Sequence, residues 1–216
     1  KELAYLINGE SVGHLAAICK EYNARFIHIS TDYVFDGRSP KPYKETDPVD
    51  PVNVYGASKL DGEIRCRQNN PDALVLRTSW VYSEFGNNFV KTMLRLMKEK
   101  PQVRVVSDQV GAPTYAADLA QAILEIISKD QWQGGTFHYS NIGRISWYDF
   151  ALAIKQLTGS PCEVVPIPTA EYPTPARRPS FSLLDTSHFT STFGIPIPEW
   201  KESLVMCLSK LLAGHS

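Results

Sequence analysis

The sequence predicts an α/β fold, a doubly wound parallel sheet with a smaller, interleaved C-terminal lobe. Three observations carry this. Apolar, β-rich runs alternate along the 216 residues with amphipathic stretches, the order that builds parallel strands joined by helical crossovers. One such run closes on Ser30-Thr31, and open α/β sheets place their sites at the carboxyl ends of strands. A tyrosine and a lysine four residues apart, Tyr55 and Lys59, follow in a stretch suited to a helix.

Each element has its own signal. Residues 2–21 put Leu3, Leu6, Ile7, Val12, Leu15, Ala16 and Ile18 at helical spacing. Residues 25–29 predict a buried strand that delivers Ser30 and Thr31. Residues 36–51 carry Pro40, Pro42, Pro48 and Pro51 and read as a loop. A helix over 53–69, a strand over 73–80, a helix over 87–99 and a short strand over 103–106 follow. Residues 117–128 predict an amphipathic helix with Leu119, Ala122, Ile123, Ile126 and Ile127 inward. From about Gly134 the texture changes. A strand over 136–140 precedes a helix over 146–158, where Ser146 and Asp149 form a variant capping box. A short strand over 162–168, a Pro-rich bend over 172–179, and helices over 185–193 and 198–212 complete the chain. There are no internal repeats and no low-complexity segment.

Composition excludes several classes. The 22 basic and 23 acidic residues give a net charge of −1 without blocks of one sign, so neither nucleic acid nor a membrane surface is an expected partner. No apolar run reaches the roughly 18 residues of a membrane span. Cys19, Cys66, Cys162 and Cys207 are far apart and read as reduced thiols. His14, His28, His138, His188 and His215 show no ligand spacing, so no metal is expected, and His28 reads as core. No Gly-x-Ser-x-Gly supports hydrolase chemistry.

The chemistry lies in Thr31, Tyr55 and Lys59. One helical turn separates Tyr55 from Lys59, so both leave the same face. An ammonium beside a phenol is expected to lower its pKa from about 10, giving a proton donor or acceptor near neutral pH. The Thr31 hydroxyl is placed to polarise a carbonyl. Tyr-x-x-x-Lys alone is a common accident; a preceding strand that ends in Ser-Thr-Asp gives it weight. Side chains alternate along a strand, so only one of Ser30 and Thr31 faces the site.

Ser30-Thr31-Asp32-Tyr33-Val34-Phe35-Asp36-Gly37 and Tyr55-Gly56-Ala57-Ser58-Lys59 resemble the extended short-chain dehydrogenase/reductase family. Arg77-Thr78-Ser79-Trp80-Val81-Tyr82, Gly86-Asn87-Asn88-Phe89-Val90 and Asp108-Gln109-Val110-Gly111-Ala112-Pro113-Thr114 narrow the resemblance to the dTDP-4-dehydrorhamnose reductases, over nearly the whole chain. The resemblance implies a Rossmann-like oxidoreductase of dTDP-rhamnose and polysaccharide biosynthesis, cytoplasmic, with NADPH or NADH as cofactor and a dTDP-sugar as substrate; a homodimer is compatible with it. It makes Thr31, Tyr55 and Lys59 catalytic. Asp32, Tyr33, Trp80, Asn88 and Arg178 become substrate-binding, and Thr78 and Ser79 line the nicotinamide beside Tyr55 and Lys59. Asn8 falls where the family kinks its helix. Residues 1–133 correspond to the remaining part of the dinucleotide-binding domain with the catalytic motif, and 134–216 mainly to the substrate lobe.

Plainer roles stand beside these: Thr31 capping the next turn, Trp80 as a core aromatic, Asn88 as an N-cap and Arg178 as a surface cation. The family opens with a glycine-rich turn that holds the cofactor pyrophosphate at a helix N-terminus. The 216 residues contain no Gly-x-x-Gly-x-x-Gly and start at Lys1 inside a helical pattern. The expectation is a Rossmann fold lacking about 70 to 80 N-terminal residues, and a fragment inactive on its own. Within the superfamily a dehydratase is disfavoured, because Tyr33 stands where a second carboxylate is needed. An epimerase stays open. So does a non-catalytic subunit like the regulatory subunit of methionine adenosyltransferase, although the Arg77–Tyr82 and Asp108–Thr114 segments favour the reductase.

Overall fold

The computed structural model describes residues 1–130, 132–174 and 176–213. Helix α1 (Glu2–Tyr5) passes through a π-helical turn (Leu6–Glu10) into α2 (Ser11–Glu21). Strand β1 (Ile27–Thr31) leads through a 3₁₀ turn at Asp32–Val34 towards α3 (Val54–Asn69), then β2 (Leu74–Thr78) and β3 (Val81–Tyr82). Next come α4 (Phe89–Glu99), β4 (Gln102–Val106), β5 (Val110–Gly111), β6 (Thr114–Tyr115) and α5 (Ala116–Ser128). The last part holds β7 (Gly135–His138), β8 (Ile145–Ser146), α6 (Trp147–Thr158), β9 (Glu163–Ile167), α7 (Ser187–Phe193) and α8 (Trp200–Ala213).

The main sheet has the order β1-β2-β7, all parallel, with Ile27 opposite Leu74 and Thr31 opposite Thr78. Every residue of β2 is buried, as a strand covered on both faces requires. Leu74 and Leu76 pack with Leu119, Ile126, Phe189 and Phe193 on one side. Val75, with the neighbouring Ala73, packs with Val12, Ala16 and Cys66 on the other. That two-sided burial is the doubly wound arrangement expected from the alternation of elements. Among the described residues β1 has no partner on its other edge, and the nearby helical face carries exposed Leu3, Leu6, Ile7, Leu15 and Ile18.

A second layer is built from short pairs: β4 with β9, β3 with β6, and β5 antiparallel to β8. Its core joins Tyr82, Val90, Met93 and Val103 to Phe150, Ile154, Leu204 and Leu208. The middle of the chain and its C-terminal helices therefore share one core here. Ser146 caps α6 with the full reciprocal bond to Asp149, and Gly159 closes it in the left-handed conformation at φ 64°.

Three features depart from the sequence reading. The helix expected over 2–21 is interrupted by the π turn. There Asn8 donates to the Ser58 hydroxyl at 3.0 Å, and its carbonyl lies where a methyl group on Gly62 would sit 2.0 Å away. The widened turn thus meets the close approach of α3. The strand expected over 73–80 stops at Thr78, because Trp80 takes a φ of +48°. The two-residue strands β3, β5, β6 and β8 were not expected at all.

The Gly62 contact is testable. Gly62→Ala in the full-length protein puts a methyl group into the Asn8 carbonyl, and overpacking against backbone is expected to lower stability by about 1–3 kcal/mol. Chemical denaturation followed by circular dichroism measures it. Wild-type stability in the variant would mean that the two helices are not in this contact.

Candidate active site

Helix α3 starts at Asn53, whose side-chain oxygen accepts from the Gly56 N–H at 2.8 Å while its amide donates to the Arg177 carbonyl at 2.9 Å. Gly56 is where helix and strand end meet. A methyl group there would lie 2.1 Å from the Tyr33 carbonyl oxygen, so glycine lets the first turn of α3 press against the 3₁₀ turn that follows β1. Tyr33 and Tyr55 then meet edge to face, with ring centroids 5.7 Å apart.

The result is a cleft of about 620 Å³. Thr31, Asp32 and Tyr33 line it from the end of β1, Tyr55 and Lys59 from α3, Thr78, Ser79 and Trp80 from the end of β2, and Arg178 from the Pro-rich bend. Nine of the ten residues singled out from the sequence converge here. The tenth, Asn88, does not line it. Asn88 caps α4 by accepting from the Lys91 N–H at 3.2 Å, and donates to the Ser83 and Phe85 carbonyls.

Thr31 holds both of its expected positions. It accepts from the Tyr33 N–H at 3.2 Å, capping the 3₁₀ turn, and donates to Asp32 Oδ1 at 3.0 Å. Ser30 turns instead to Glu63 on α3, 2.5 Å away, as alternation along the strand requires. Asp32 is 2% exposed and its Oδ2 has no hydrogen-bond partner. Burial pushes its pKa up to about 7, against the opposing hydrogen bonds of Ser182 and Thr31.

The electrostatics of Tyr55 correct one expectation. Its pKa is raised, first by burial and then by the Asp32 charge, while the Thr31 hydroxyl favours the phenolate. Lys59 does not lower it. The ammonium is directed elsewhere, donating to the Ile29 carbonyl at 2.6 Å and lying 3.4 Å from His28 Nε2. Burial depresses the Lys59 pKa and the Glu63 carboxylate opposes that. Of the three ammonium donors, one N–H remains for the cleft. Tyr55 is therefore a protonated phenol at neutral pH.

The remaining residues brace the cleft. Thr78 bonds Thr114 hydroxyl to hydroxyl at 3.1 Å, and Ser79 donates to the Ala112 carbonyl at 2.7 Å. Trp80 stacks on Trp147 with ring centroids 3.6 Å apart and planes nearly parallel, and a methyl group on Gly111 would lie 2.8 Å from its ring. Trp147 escaped the sequence reading; a tryptophan directly after a capping serine reads only as the first turn of a helix. It also lines a second cleft of about 530 Å³, where Phe89, Met93 and Leu96 stand beside Lys100, Arg104 and Gln109. Arg178 borders both clefts. Among the described residues no group of three or more His, Cys, Asp or Glu could hold a metal ion, and no helix is long and apolar enough to cross a membrane.

The chain matches relatives throughout. The family model for the RmlD substrate binding domain covers residues 1–213. A dTDP-4-dehydrorhamnose reductase from Burkholderia thailandensis is 42% identical over 97% of this chain and 76% of its own length. A crystal structure of such a reductase from Clostridium acetobutylicum superposes with a TM-score of 0.93 at 44% identity, covering 98% of this chain and 74% of that one. A second, from Bacillus anthracis in complex with NADP, gives 0.91 at 38% identity over 97% and 73%. Matched by the family model over residues 1–213, the chain belongs to the RmlD family, that of the dTDP-4-dehydrorhamnose reductases.

Proposed function

We propose that the protein reduces the C4 keto group of dTDP-4-dehydro-6-deoxy-L-mannose to dTDP-L-rhamnose, with NADPH or NADH as reductant and Tyr55 as proton donor. The observation that carries this is the convergence of a protonated Tyr55, the Thr31 hydroxyl and the Lys59 ammonium in one cleft at the ends of parallel strands. The relatives' names supply the substrate, and the NADP held by the Bacillus anthracis protein supplies the cofactor class. The residues present fit the nicotinamide end of such a cofactor: Lys59 keeps an N–H for the ribose hydroxyls, and Thr78 and Ser79 wall the same cleft.

When bound, the nicotinamide supplies the hydride. As negative charge grows on the sugar C4 oxygen, Tyr55 delivers its proton there. The Thr31 hydroxyl turns from Asp32 to the same oxygen and stabilises the charge. Asp32 and Tyr33 meet the sugar hydroxyls, and Trp80 walls the sugar. Arg178, between the two clefts, meets the diphosphate. The second cleft, beside Trp147, receives the nucleoside. Asn88 contributes by fixing the start of α4, from which Phe89 walls that cleft.

On this reading residues 1–133 hold mainly the catalytic part and 134–216 mainly the sugar-nucleotide lobe, interleaved with it, and a cytoplasmic enzyme, compatible with a homodimer, is the matching setting. Residues 1–216 on their own, which contain no glycine-rich phosphate turn, turn over no substrate.

Tyr55→Phe in the full-length protein keeps the ring and removes the proton. kcat is expected to fall by roughly 10² to 10⁴ with substrate affinity little changed. Steady-state kinetics with the dTDP-keto-sugar decide it, and activity within a factor of two of wild type would remove Tyr55 from the mechanism.

Asp32 gives a pH-dependent test. Its folded pKa of about 7 lies above the ordinary 3.8, so its contribution to stability is present at low pH and is lost as pH rises towards 7. The loss is on the order of 4 kcal/mol, at about 1.4 kcal/mol per pH unit. Asp32→Asn escapes it. The variant's melting temperature is expected to gain on wild type at about pH 8 relative to about pH 4.5. A difference that does not change with pH would show that Asp32 titrates normally.

A further inference from the structure

Glu63 is a charged side chain with no exposure at all, one turn beyond Lys59 and two beyond Tyr55 on the same face of α3. Its carboxylate is fully engaged. Arg77 on β2 grips it with two bonds, Nε to Oε1 at 2.9 Å and Nη2 to Oε2 at 2.7 Å, and Ser30 on β1 donates to Oε1 at 2.5 Å. Arg77 is itself 2% exposed and lies over the Phe35 ring. Ser30 precedes Thr31 and Arg77 precedes Thr78, so the two groups that grip Glu63 stand one residue before two hydroxyls of the cleft.

A buried ion pair adds little net stability, because desolvation offsets the attraction; its best-attested use is to fix register. A carboxylate held at three points by two adjacent strands can fix how α3 is rotated and how far it has slid along the sheet. We propose that Glu63, gripped by Arg77 and Ser30, is the positioning residue that sets Tyr55 and Lys59 against the ends of β1 and β2 and keeps Lys59 a cation. The second half of this rests on the reading of Lys59 as the group that holds the cofactor ribose.

Several charged or titratable groups face the pair. His28 on β1 has its pKa lowered to about 4, first by burial and then by Lys59, and so is neutral at working pH. His138 on β7, lowered to about 3 mainly by burial, is neutral too. On α3, Cys66 is a neutral thiol, pushed up to about 11 by burial, and Arg67 reaches the Glu63 carboxylate at 3.5 Å. Tyr55 is a phenol. From the π turn Asn8 brings no charge. Burial works against the Lys59 cation, and Glu63 supplies the negative charge that supports it.

The test is NADPH affinity against pH, followed by fluorescence in the full-length protein, which needs no turnover. Wild-type affinity is expected to fall on the alkaline side as Lys59 loses its proton. In Glu63→Gln that limb moves to lower pH by about one unit, the effect of removing one nearby opposite charge. A Glu63→Gln variant with the wild-type profile and only a lower melting temperature would overturn the proposal. Should that variant fail to fold, Ser30→Ala removes one of the three bonds to Glu63 and leaves both charges in place. In it a kcat lowered several-fold with an unmoved alkaline limb supports the positioning of α3 by Glu63, and a wild-type kcat overturns it. A wild-type protein that binds NADPH but reduces no dTDP-keto-sugar would instead sink the functional reading and leave this comparison intact.

Discussion

Helix α3 lies closer to its neighbours than a side chain would permit, and the site depends on that approach. At Gly56 it meets the Tyr33 carbonyl and at Gly62 the Asn8 carbonyl, each at a distance a methyl group could not share. Two backbone contacts six residues apart fix the height of the helix. They leave its rotation to be set by polar contacts, and the buried Glu63–Arg77 pair is the strongest of these. Tyr55 and Lys59 are useful only when both height and rotation are right. A misplacement of about 1 Å at a reacting group can cost about 10²-fold in rate.

Burial pushes the ionisable groups of the cleft in one direction, towards their neutral forms. Asp32 and Tyr55 are raised, and Lys59 is lowered. The familiar logic in which a lysine activates its tyrosine by lowering the pKa does not describe this geometry, since the Lys59 ammonium is turned to the Ile29 carbonyl. The proposed reduction needs a phenol that still has its proton, and burial keeps Tyr55 in that form. A half-neutral Asp32 also leaves less negative charge to repel a diphosphate. The cation Arg178 then stands at the border of both clefts.

Much of this was legible in the sequence, for reasons that can be named. α4, α5 and α6 each carry a local signal, an apolar stripe or a capping box, and such signals survive without tertiary information. β3, β5, β6 and β8 do not, because a two-residue strand exists only through a partner distant in sequence. The π turn was marked only by the resemblance, as a kink at Asn8; it has no local signal because it answers Gly62, more than fifty residues on. Glu63 was hidden by its neighbours. With Lys59 four residues before and Arg67 four after, it reads as one rung of an exposed ion-pair ladder. The clue was Arg77, an arginine directly after the apolar run 73–76 of a strand, which needs a counter-charge if it is buried.

Trp80 shows how the second layer enters the site. A bulky residue at φ +48° stores on the order of 1–3 kcal/mol of strain and persists only where its surroundings over-determine it. Here they do. The chain before Trp80 is fixed in the main sheet by β2, and the chain after it is fixed by β3 pairing with β6. The ring is held against Trp147 and the backbone at Gly111. Trp80 is therefore the joint between the two layers, and its strained backbone aims an aromatic wall into the cleft of Thr31, Tyr55 and Lys59 while Trp147, stacked on it, lines the second cleft. A substrate long enough to fill both clefts has to pass this joint and Arg178 beside it. On the proposed function, a nucleoside diphosphate sugar has the cleft of Tyr55 at its sugar end, Arg178 at its diphosphate and the cleft beside Trp147 at its nucleoside end.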